Sequence, residues 1–507
     1  MKTANLMKCW ILWLLFTLPV QGQETNEIQQ LRRQLQRMQE EFDQVQRQHR
    51  EQIETLSRQL RALEDRRANT NAAEAKPPPD TKPSATELPR AEASVPEKQP
   101  WRPSDPIRLG QGGKAFMDIG LVGTFAAGGS TAKDIEGATQ LGGHDPNQNG
   151  FTVQGLEANF AGAVDPYFRG QANVAFQIDS QGKSAVELEE GYLETLSLPG
   201  NLQVRAGQFL SEFGRLNPTH PHAWSFVDAP LVNGRLLGPD GLRNPGARIS
   251  WLMPTPFYSE VFLGVQNSQG ETAYSFRDDH EAQVFYGRLD TVGGVRSFND
   301  LLFTPRLATS FDLTDSQTLV WGVSGAFGPN ASGPATDTQI YATDLYWKWK
   351  PANHSGGFPF LAWQTEAMLR RYEAGAFSWD LDGNGVLNPD GSEMDSNRDG
   401  VPDLLPRETL VDYGLYTQLT YGFHKGWVAG LRWDYVASNP SEYESLYGPD
   451  LSRARRWRLS PNLTWYPSEF SKLRLQYNCD DRDPIGIDHS VWFQFEFLLG
   501  AHAAHKF

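Results

Sequence analysis

The carboxyl-terminal stretch of the chain alternates between apolar and polar positions over many residues. Within residues 490–507, one parity carries Phe493, Phe495, Phe497, Leu499, Ala501, Ala503 and Phe507. The other parity carries Trp492, Gln494, Glu496, Gly500 and His502. A period of two predicts a β-strand, and this one is longer than the roughly 5–6 residues usual in soluble sheets. One apolar and one polar face suit the wall of a transmembrane barrel. The alternative is an edge strand of a large soluble sandwich.

The same alternation recurs from residue 115 to the end of the chain. Short connections alternate with long polar ones, which is typical of barrels with short periplasmic turns and long outer loops. The predicted strands are 115–127, 151–164, 168–179, 185–198, 202–213, 246–254, 258–267, 301–313, 318–328, 340–350, 360–373, 408–423, 427–437, 453–466, 471–481 and 490–507. We therefore predict an all-β fold, a 16-stranded antiparallel transmembrane β-barrel over residues 115–507. The last strand must pair with the first to remove the sheet edges, and sixteen strands leave room for an aqueous lumen.

The amino-terminal part of the chain has a different pattern. Residues 1–22 join a basic start to an apolar core, which predicts a signal peptide. Residues 23–67 carry apolar positions three and four apart over several heptads, which predicts an α-helical coiled coil that self-associates. The alternative is a single helix lying on the barrel. Residues 68–114 are rich in proline and predict an extended linker.

Composition narrows the class of protein. The 507 residues carry a formal net charge of −15, and an acidic chain argues against nucleic acid as a partner. Aromatic residues make up 12%, which suits the girdles of a membrane barrel, although a soluble all-β protein that binds sugars would share this feature. The sequence contains no GxSxG or HExxH motif, so we do not expect an enzyme.

The predicted third outer loop, residues 214–245, joins strands five and six. It reads GRLNPTHPHAWSFVDAPLVNGRLLGPDGLRNP, and its prolines with Trp224 and Phe226 predict a folded loop. His220 and His222 flank Pro221 on this loop. Two histidines make an incomplete metal site, so we expect them to pack or to form hydrogen bonds.

Together, the signal peptide, coiled coil, proline-rich linker and sixteen strands resemble the phosphate-selective porin O/P-like group of outer-membrane channels. The segment HDPNQNGF at 144–151, the long third loop and the terminal AHKF are similar to porin-like sequences of this kind. The resemblance rests on architecture. It implies a third loop that bends into the lumen, a homotrimer joined through residues 24–67, and a terminal Phe507 read by the barrel-insertion machinery. It also implies the outer membrane of a Gram-negative cell, with lipid bilayer and lipopolysaccharide around the barrel and the coiled coil in the periplasm.

Strand parity places mostly basic side chains on the inner face. The predicted pore or constriction residues are Arg205, Arg215, Arg235, Arg243, Arg306, Lys348, Arg370, Arg432, Arg456, Arg458 and Arg474, of which Arg215, Arg235 and Arg243 are assigned to the third loop. Guanidinium groups suit carboxylate and phosphate, so we hypothesise a preference for anions. The alternative is a balanced lumen, in which the arginines pair with Glu366, Asp344, Asp434, Asp412 and Glu496.

A further outer loop, residues 380–403, places oxygen-bearing side chains at every second position before a glycine. The predicted metal ligands are Asp380, Asp382, Asn384, Asp395, Asn397, Asp399 and Asp403. Such spacing is typical of calcium loops, although Gly391 stands where an EF-hand has its twelfth-position Glu. We expect a structural Ca²⁺ here and no required cofactor. The alternative is an ordinary solvated acidic loop.

These patterns predict an outer-membrane porin, a water-filled channel for passive diffusion of small hydrophilic solutes, and the hypothesis above adds a preference for anionic ones. The alternative is a non-channel outer-membrane barrel that acts in surface binding, adhesion or metal-related uptake.

Overall fold

Sixteen antiparallel strands form one sheet that closes on itself. The computed structural model describes residues 107–112, 115–163, 165–277, 284–291 and 293–500, all within the unit Lys98–Phe507. The wall strands are β1 Ala115–Ser130, β2 Gly150–Ala163, β3 Phe168–Ile178, β4 Ser184–Thr195, β5 Leu202–Leu210, β6 Arg243–Leu252, β7 Tyr258–Asn267, β8 Leu301–Thr314, β9 Gln317–Pro329, β10 Asp337–Trp349, β11 Phe360–Ala374, β12 Glu408–His424, β13 Trp427–Ser438, β14 Arg456–Ser468, β15 Ser471–Arg482 and β16 Gly486–Leu499. Each strand pairs with the next, and β16 pairs with β1 from Leu499↔Leu121 to Ser490↔Ser130. The predicted closed barrel of sixteen strands is confirmed.

An additional short strand lies in the predicted linker. Ile107–Gly112 pairs with the start of β1, from Ile107↔Ile119 to Gly112↔Ala115. The physical reason is that β16 pairs with β1 only from Leu121 onward. The backbone groups of residues 115–119 therefore need another hydrogen-bonding partner.

Several predicted segments lie outside the described residues. These are the signal peptide 1–22, the coiled coil 23–67, the linker up to residue 106, and the terminal residues 501–507 with Phe507. The last wall strand ends at Leu499.

The strands present one apolar face outward and one polar face inward. In β14, Leu459, Leu463 and Trp465 are 38–41% exposed, whereas Arg458 and Ser460 are at most 1% exposed. This alternation is typical of strands whose outer face meets lipid. Among the described residues, no helix has the length and apolar character needed to cross a membrane.

Short turns and long loops alternate between the strands. The turns include Thr314–Gln317 and His424–Trp427. The loops hold the helices α1 Leu231–Leu237 and α2 Glu442–Tyr447 and the 3-10 turns Pro221–Ala223 and Phe298–Asp300, and the turn Pro199–Asn201 precedes β5. They also hold two small hairpins, Val284–Phe285 with Arg288–Leu289 and Phe377–Ser378 with Leu404–Leu405.

The third loop, residues 211–242, folds into the barrel. Its helix α1 begins after Pro230 and ends at Gly238, whose φ of 90° suits glycine at a helix end. Apolar side chains of α1 pack against inward-facing residues of β10 to β13. This loop core comprises Leu231, Val232, Leu236 and Leu237 from α1, with Ile340, Met368, Tyr416 and Val436 from the wall. Each fully buried aliphatic side chain contributes about 1.5–3 kcal/mol, so this helix is a fixed part of the interior.

Candidate functional site

Asp228 holds the middle of the third loop against the wall. Its carboxylate accepts hydrogen bonds from Arg432 Nη2 at 2.7 Å, Arg458 Nη1 at 2.9 Å, Gln476 Nε2 at 2.9 Å and Asn478 Nδ2 at 2.9 Å. Burial alone would raise the pKa of Asp228, but the nearby guanidinium groups of Arg432 and Arg458 hold it below its ordinary value. The carboxylate therefore remains ionised and bound to strands β13, β14 and β15.

Backbone groups of the same loop segment are bonded to further carboxylates. The amide of Leu231 donates to Asp434 Oδ1 at 3.1 Å, and that of Ala229 donates to Asp145 Oδ1 at 2.8 Å. Asp145 belongs to the loop between β1 and β2, so this hydrogen bond connects two loops. The sequence offered no signal for this contact.

The start of the third loop is bonded to β11, which lies two strands from β13 in the wall. Glu366 on β11 accepts hydrogen bonds from the backbone amides of Arg215 and Leu216, both at 2.7 Å to Oε1. The loop leaves β5 and returns to β6, and its bonds to β11 and to β13–β15 lie on a part of the wall far from these two strands, so it crosses the interior.

Most of the predicted basic pore residues are paired with carboxylates. The pairs are Arg205–Glu194 at 2.8 Å, Arg306–Asp344 at 2.6 Å, Arg370–Asp412 at 2.7 Å, Arg432–Asp228 at 2.7 Å, Arg458–Asp480 at 2.7 Å, Arg243–Glu187 and Arg456–Asp480. At these positions the structure corresponds to the balanced interior, because neighbouring strands and loops bring opposite charges together.

Three details differ from the sequence-based prediction. Arg243 opens β6 and is not part of the third loop, because pairing with Leu210 of β5 extends the sheet to it. Glu496 pairs with Lys472 at 2.7 Å, although we expected an arginine partner. Glu366 takes the backbone amides described above, since the loop approaches it more closely than any guanidinium group does.

Four predicted cations form no ion pair with a carboxylate in the described part of the chain. Arg235 donates to the carbonyl of Arg453 at 3.1 Å, and Arg474 donates to Gln494 Oε1 at 2.9 Å. The guanidinium of Arg215 lies 3.9 Å from the centre of the Tyr346 ring. Lys348 stands two residues further along β10 and therefore on the same face. Arg215 and Lys348, both half-buried, form what we call the cation patch.

A second cluster combines histidine and glutamate where the third loop meets β2 and β4. Its members are His144, His220, His222, Glu157, Glu189 and Glu190, all of them buried or nearly so. Burial would lower the pKa of His220, but the surrounding glutamates raise it well above its ordinary value. Burial likewise opposes the charge on His144, and Glu189 raises its pKa to about 9. The sequence showed two of these histidines but not the glutamates, which come from separate strands.

The predicted calcium loop contains two turns of the same kind. Oδ2 of Asp380 accepts from the Gly385 amide at 3.0 Å, and Oδ2 of Asp395 accepts from the Gly400 amide at 3.0 Å. One ligand oxygen each of Asp380, Asp382 and Glu393 lie within 4.8 Å of one another. Sequence reasoning missed Glu393, because it follows Asp380 at a spacing that calcium motifs do not use.

The remaining predicted calcium ligands bond within their own turns. Asp382 and Asn384 accept from backbone amides two residues further on, as do Asn397 and Asp399. Asp403 accepts from the amide of Ser396 at 2.8 Å. The described residues thus bring Asp382 and Glu393 close to Asp380, whereas the second run forms a hydrogen-bonded turn.

Closed strands, an apolar outer face and a loop fastened across the interior define a β-barrel membrane protein. No protein-family model matches the sequence. An uncharacterised protein from Aquifex aeolicus (strain VF5) is 30% identical over 427 residues, which cover 78% of this chain and 81% of that protein. The chain belongs to the same family as this Aquifex aeolicus protein.

Solved structures that are similar to this chain include outer-membrane channels. The outer-membrane channel DcaP of Acinetobacter baumannii has a TM-score of 0.49 and 12% identity, over 76% of this chain and 97% of that one. The anion-selective porin from Comamonas acidovorans has a TM-score of 0.43 and 7% identity, over 76% of this chain and 100% of that one. These values are too low for a property of either protein to be transferred to this chain.

Proposed function

We propose that the protein is an outer-membrane porin, a channel for passive diffusion of small hydrophilic solutes. The observation that carries this proposal is the closed sixteen-stranded barrel with a third loop fastened inside it. A barrel of this size is wide enough for an aqueous lumen. A loop that leaves β5, crosses the interior and is bonded to Glu366, Arg432 and Arg458 narrows such a lumen.

The solutes that fit the interior best are anions. Most interior arginines are neutralised, so the charge that a solute meets is set by the cations that remain. Arg215 and Lys348 supply two positive charges on one face, and no described carboxylate pairs with either. A guanidinium beside an ammonium favours a carboxylate or phosphate group in passage.

The assembly follows from segments outside the described residues. The heptad pattern of residues 24–67 supports a homotrimer joined by a periplasmic coiled coil. The aromatic Phe507 supports recognition by the barrel-insertion machinery, with bilayer and lipopolysaccharide around the finished barrel. The proposed location is therefore the outer membrane of a Gram-negative cell.

Calcium is proposed as a structural ion of the outer loop 380–403. The support is the gathering of Asp380, Asp382 and Glu393, together with Oδ1 of Asp380, which is buried and receives no hydrogen bond from the described residues. A divalent cation would neutralise these carboxylates. The other predicted ligands would then shape the loop around the ion.

One observation favours the alternative, a barrel that binds at the cell surface or takes up metal without conducting freely. The loop core fills the space in front of β10 to β13 with apolar side chains. Water and ions do not pass through a packed apolar region. If loops also cover the remaining interior in the membrane, the barrel would be sealed.

Solute flux into liposomes separates the two functions. Purified protein is reconstituted into vesicles, and the entry of small sugars and dicarboxylates is followed by osmotic swelling. A porin gives swelling that falls with solute size, whereas a sealed barrel gives the rate of empty vesicles. Vesicles with heat-denatured protein are the control for leakage.

A further inference from the structure

Three side chains meet in a buried position where the third loop touches the wall. Nδ1 of His220 lies 3.4 Å from Oε1 of Glu157 on β2 and 3.3 Å from Oε2 of Glu189 on β4. One ligand atom from each of the three side chains lies within 4.8 Å of the others. The Asp228 anchor and the cation patch use none of these residues.

Two of the spacings among these atoms match those between ligands of one metal ion, and Oε1 of Glu157 also accepts a hydrogen bond from Nδ2 of Asn173 at 2.8 Å. Zinc binds imidazole nitrogen and carboxylate oxygen at about 2.0–2.1 Å, which sets neighbouring atoms of a tetrahedron roughly 3.3–3.4 Å apart. The two contacts of His220 have these lengths. Imidazole with carboxylates is a donor set that divalent first-row metals accept.

Each of the three side chains also contacts a further residue that orients it. The outer contacts are His220 Nε2 to Glu190 Oε2 at 2.9 Å, Glu157 Oε2 to His222 Nδ1 at 3.2 Å, and Glu189 Oε1 to His144 Nε2 at 3.0 Å. Metal ligands are usually oriented by such partners, which fix the imidazole tautomer and the carboxylate rotamer. Contact of Nε2 with Glu190 turns the other ring nitrogen of His220 toward Glu157 and Glu189.

Within the described residues, one carboxylate oxygen of the cluster has a 3.3 Å contact with Nδ1 of His220 but no hydrogen bond of normal geometry. Oε2 of Glu189 receives no hydrogen bond from the described residues, although Glu189 is only 3% exposed. A buried acceptor without a partner costs about 1–3 kcal/mol, and more when it is charged. A cavity of about 50 Å³ borders both Glu189 and His220, and that is enough for a water molecule as a fourth ligand.

We propose that Glu157, Glu189 and His220 bind one divalent first-row transition-metal ion such as Zn²⁺, which ties the third loop to β2 and β4. An open fourth position faces the adjoining cavity. The metal site does not depend on whether the barrel conducts, so the test of the site is independent of the test of the channel.

Zinc content measures the site directly. The full mature protein is purified in detergent, stripped with EDTA, dialysed against Zn²⁺ and then against metal-free buffer, and analysed by plasma mass spectrometry. Glu189→Gln keeps the shape of the side chain and removes one ligand, so it should hold one equivalent less than the unchanged protein. His354→Ala removes an exposed histidine of a short turn and should hold the same amount as the unchanged protein. Equal zinc in the unchanged protein and Glu189→Gln overturns the proposal and leaves a cluster of protonated imidazole and carboxylate.

Two further measurements keep the test independent of folding of one variant. X-ray absorption of zinc in the unchanged protein should show nitrogen and oxygen ligands at about 2.0–2.1 Å, with the scattering of an imidazole. Zinc bound only by oxygen overturns the proposal. His144→Gln changes a positioning residue, so it should keep the stoichiometry but bind Zn²⁺ about 10–100-fold more weakly. Unchanged affinity would contradict the role assigned to His144.

Discussion

Arg432 of β13 donates through Nη2 to Oδ1 of Asp228 at 2.7 Å, which joins the wall to the centre of the third loop. Both side chains are at most 1% exposed. The residues are far apart in sequence, so their contact fixes the path of the loop across the barrel. The first prediction concerns this pair.

Asp228→Asn should release the loop from the wall. Breaking a buried ion pair costs about 3–5 kcal/mol, and we expect the lower end of that range. The reason is that Arg432 retains its ion pair with Asp434, and Arg458 retains its ion pair with Asp480. Urea unfolding in lipid micelles, followed by tryptophan fluorescence, measures this loss in the free energy of unfolding. Glu373→Gln is the matched control, because its pair with Arg407 is exposed and should contribute less than about 1 kcal/mol. Equal losses in both variants would contradict the role of Asp228.

The cation patch should set charge selectivity. Replacing Arg215 and Lys348 together by glutamine removes two of the four predicted cations that pair with no described carboxylate. The reversal potential under a salt gradient should shift toward cation preference. Lys425→Gln, in an exposed short turn, should leave it unchanged. A reversal potential that the double variant does not move would assign selectivity to other residues.

The calcium proposal predicts heat on titration. Calorimetry of the whole protein with Ca²⁺ should show one site with a dissociation constant of about 10⁻⁴–10⁻³ M, as in extracellular calcium modules. Glu393→Gln should weaken it, whereas Glu469→Gln in the short turn between β14 and β15 should not. Absence of heat at millimolar calcium would mean that the acidic loop is merely solvated.

The coiled coil should hold the oligomer together. A mature protein that lacks residues 24–67 should lose its heat-resistant trimer in gel electrophoresis at a lower temperature, because the heptad seam no longer joins the chains. Deletion of residues 68–97, a stretch of proline-rich linker, is the control for shortening alone. If the trimer persists to the same temperature without residues 24–67, the barrel itself provides the contacts.

The strand pattern was predictable because lipid imposes it. Outward residues such as Leu459 and Trp465 must be apolar. The alternation in the sequence therefore shows where each strand lies and how many strands there are. The inner face carries no such constraint. Ile340, Met368 and Val436 face inward yet are apolar, since α1 covers them, and parity alone could not reveal this.

The partners of inward-facing side chains were less predictable, because lipid does not constrain the inner face. The pairs of neighbouring strands, such as Arg370 with Asp412, follow from adjacency once the strands are known. Contacts made by loops do not, because they depend on where a loop lands. In the sequence, His220 therefore appeared only as one of two histidines in an incomplete metal site. Glu157 and Glu189 are its neighbours only in the folded structure, where the third loop meets the wall.

Single-channel recording in a planar bilayer tests the central claim most directly. Folded protein, verified by its heat-modifiable mobility, is added to a membrane under a salt gradient. The proposed porin predicts stepwise increases of current of uniform size, with a reversal potential that indicates anion preference. Repeated insertion of folded protein without current steps would contradict the channel and show a sealed barrel.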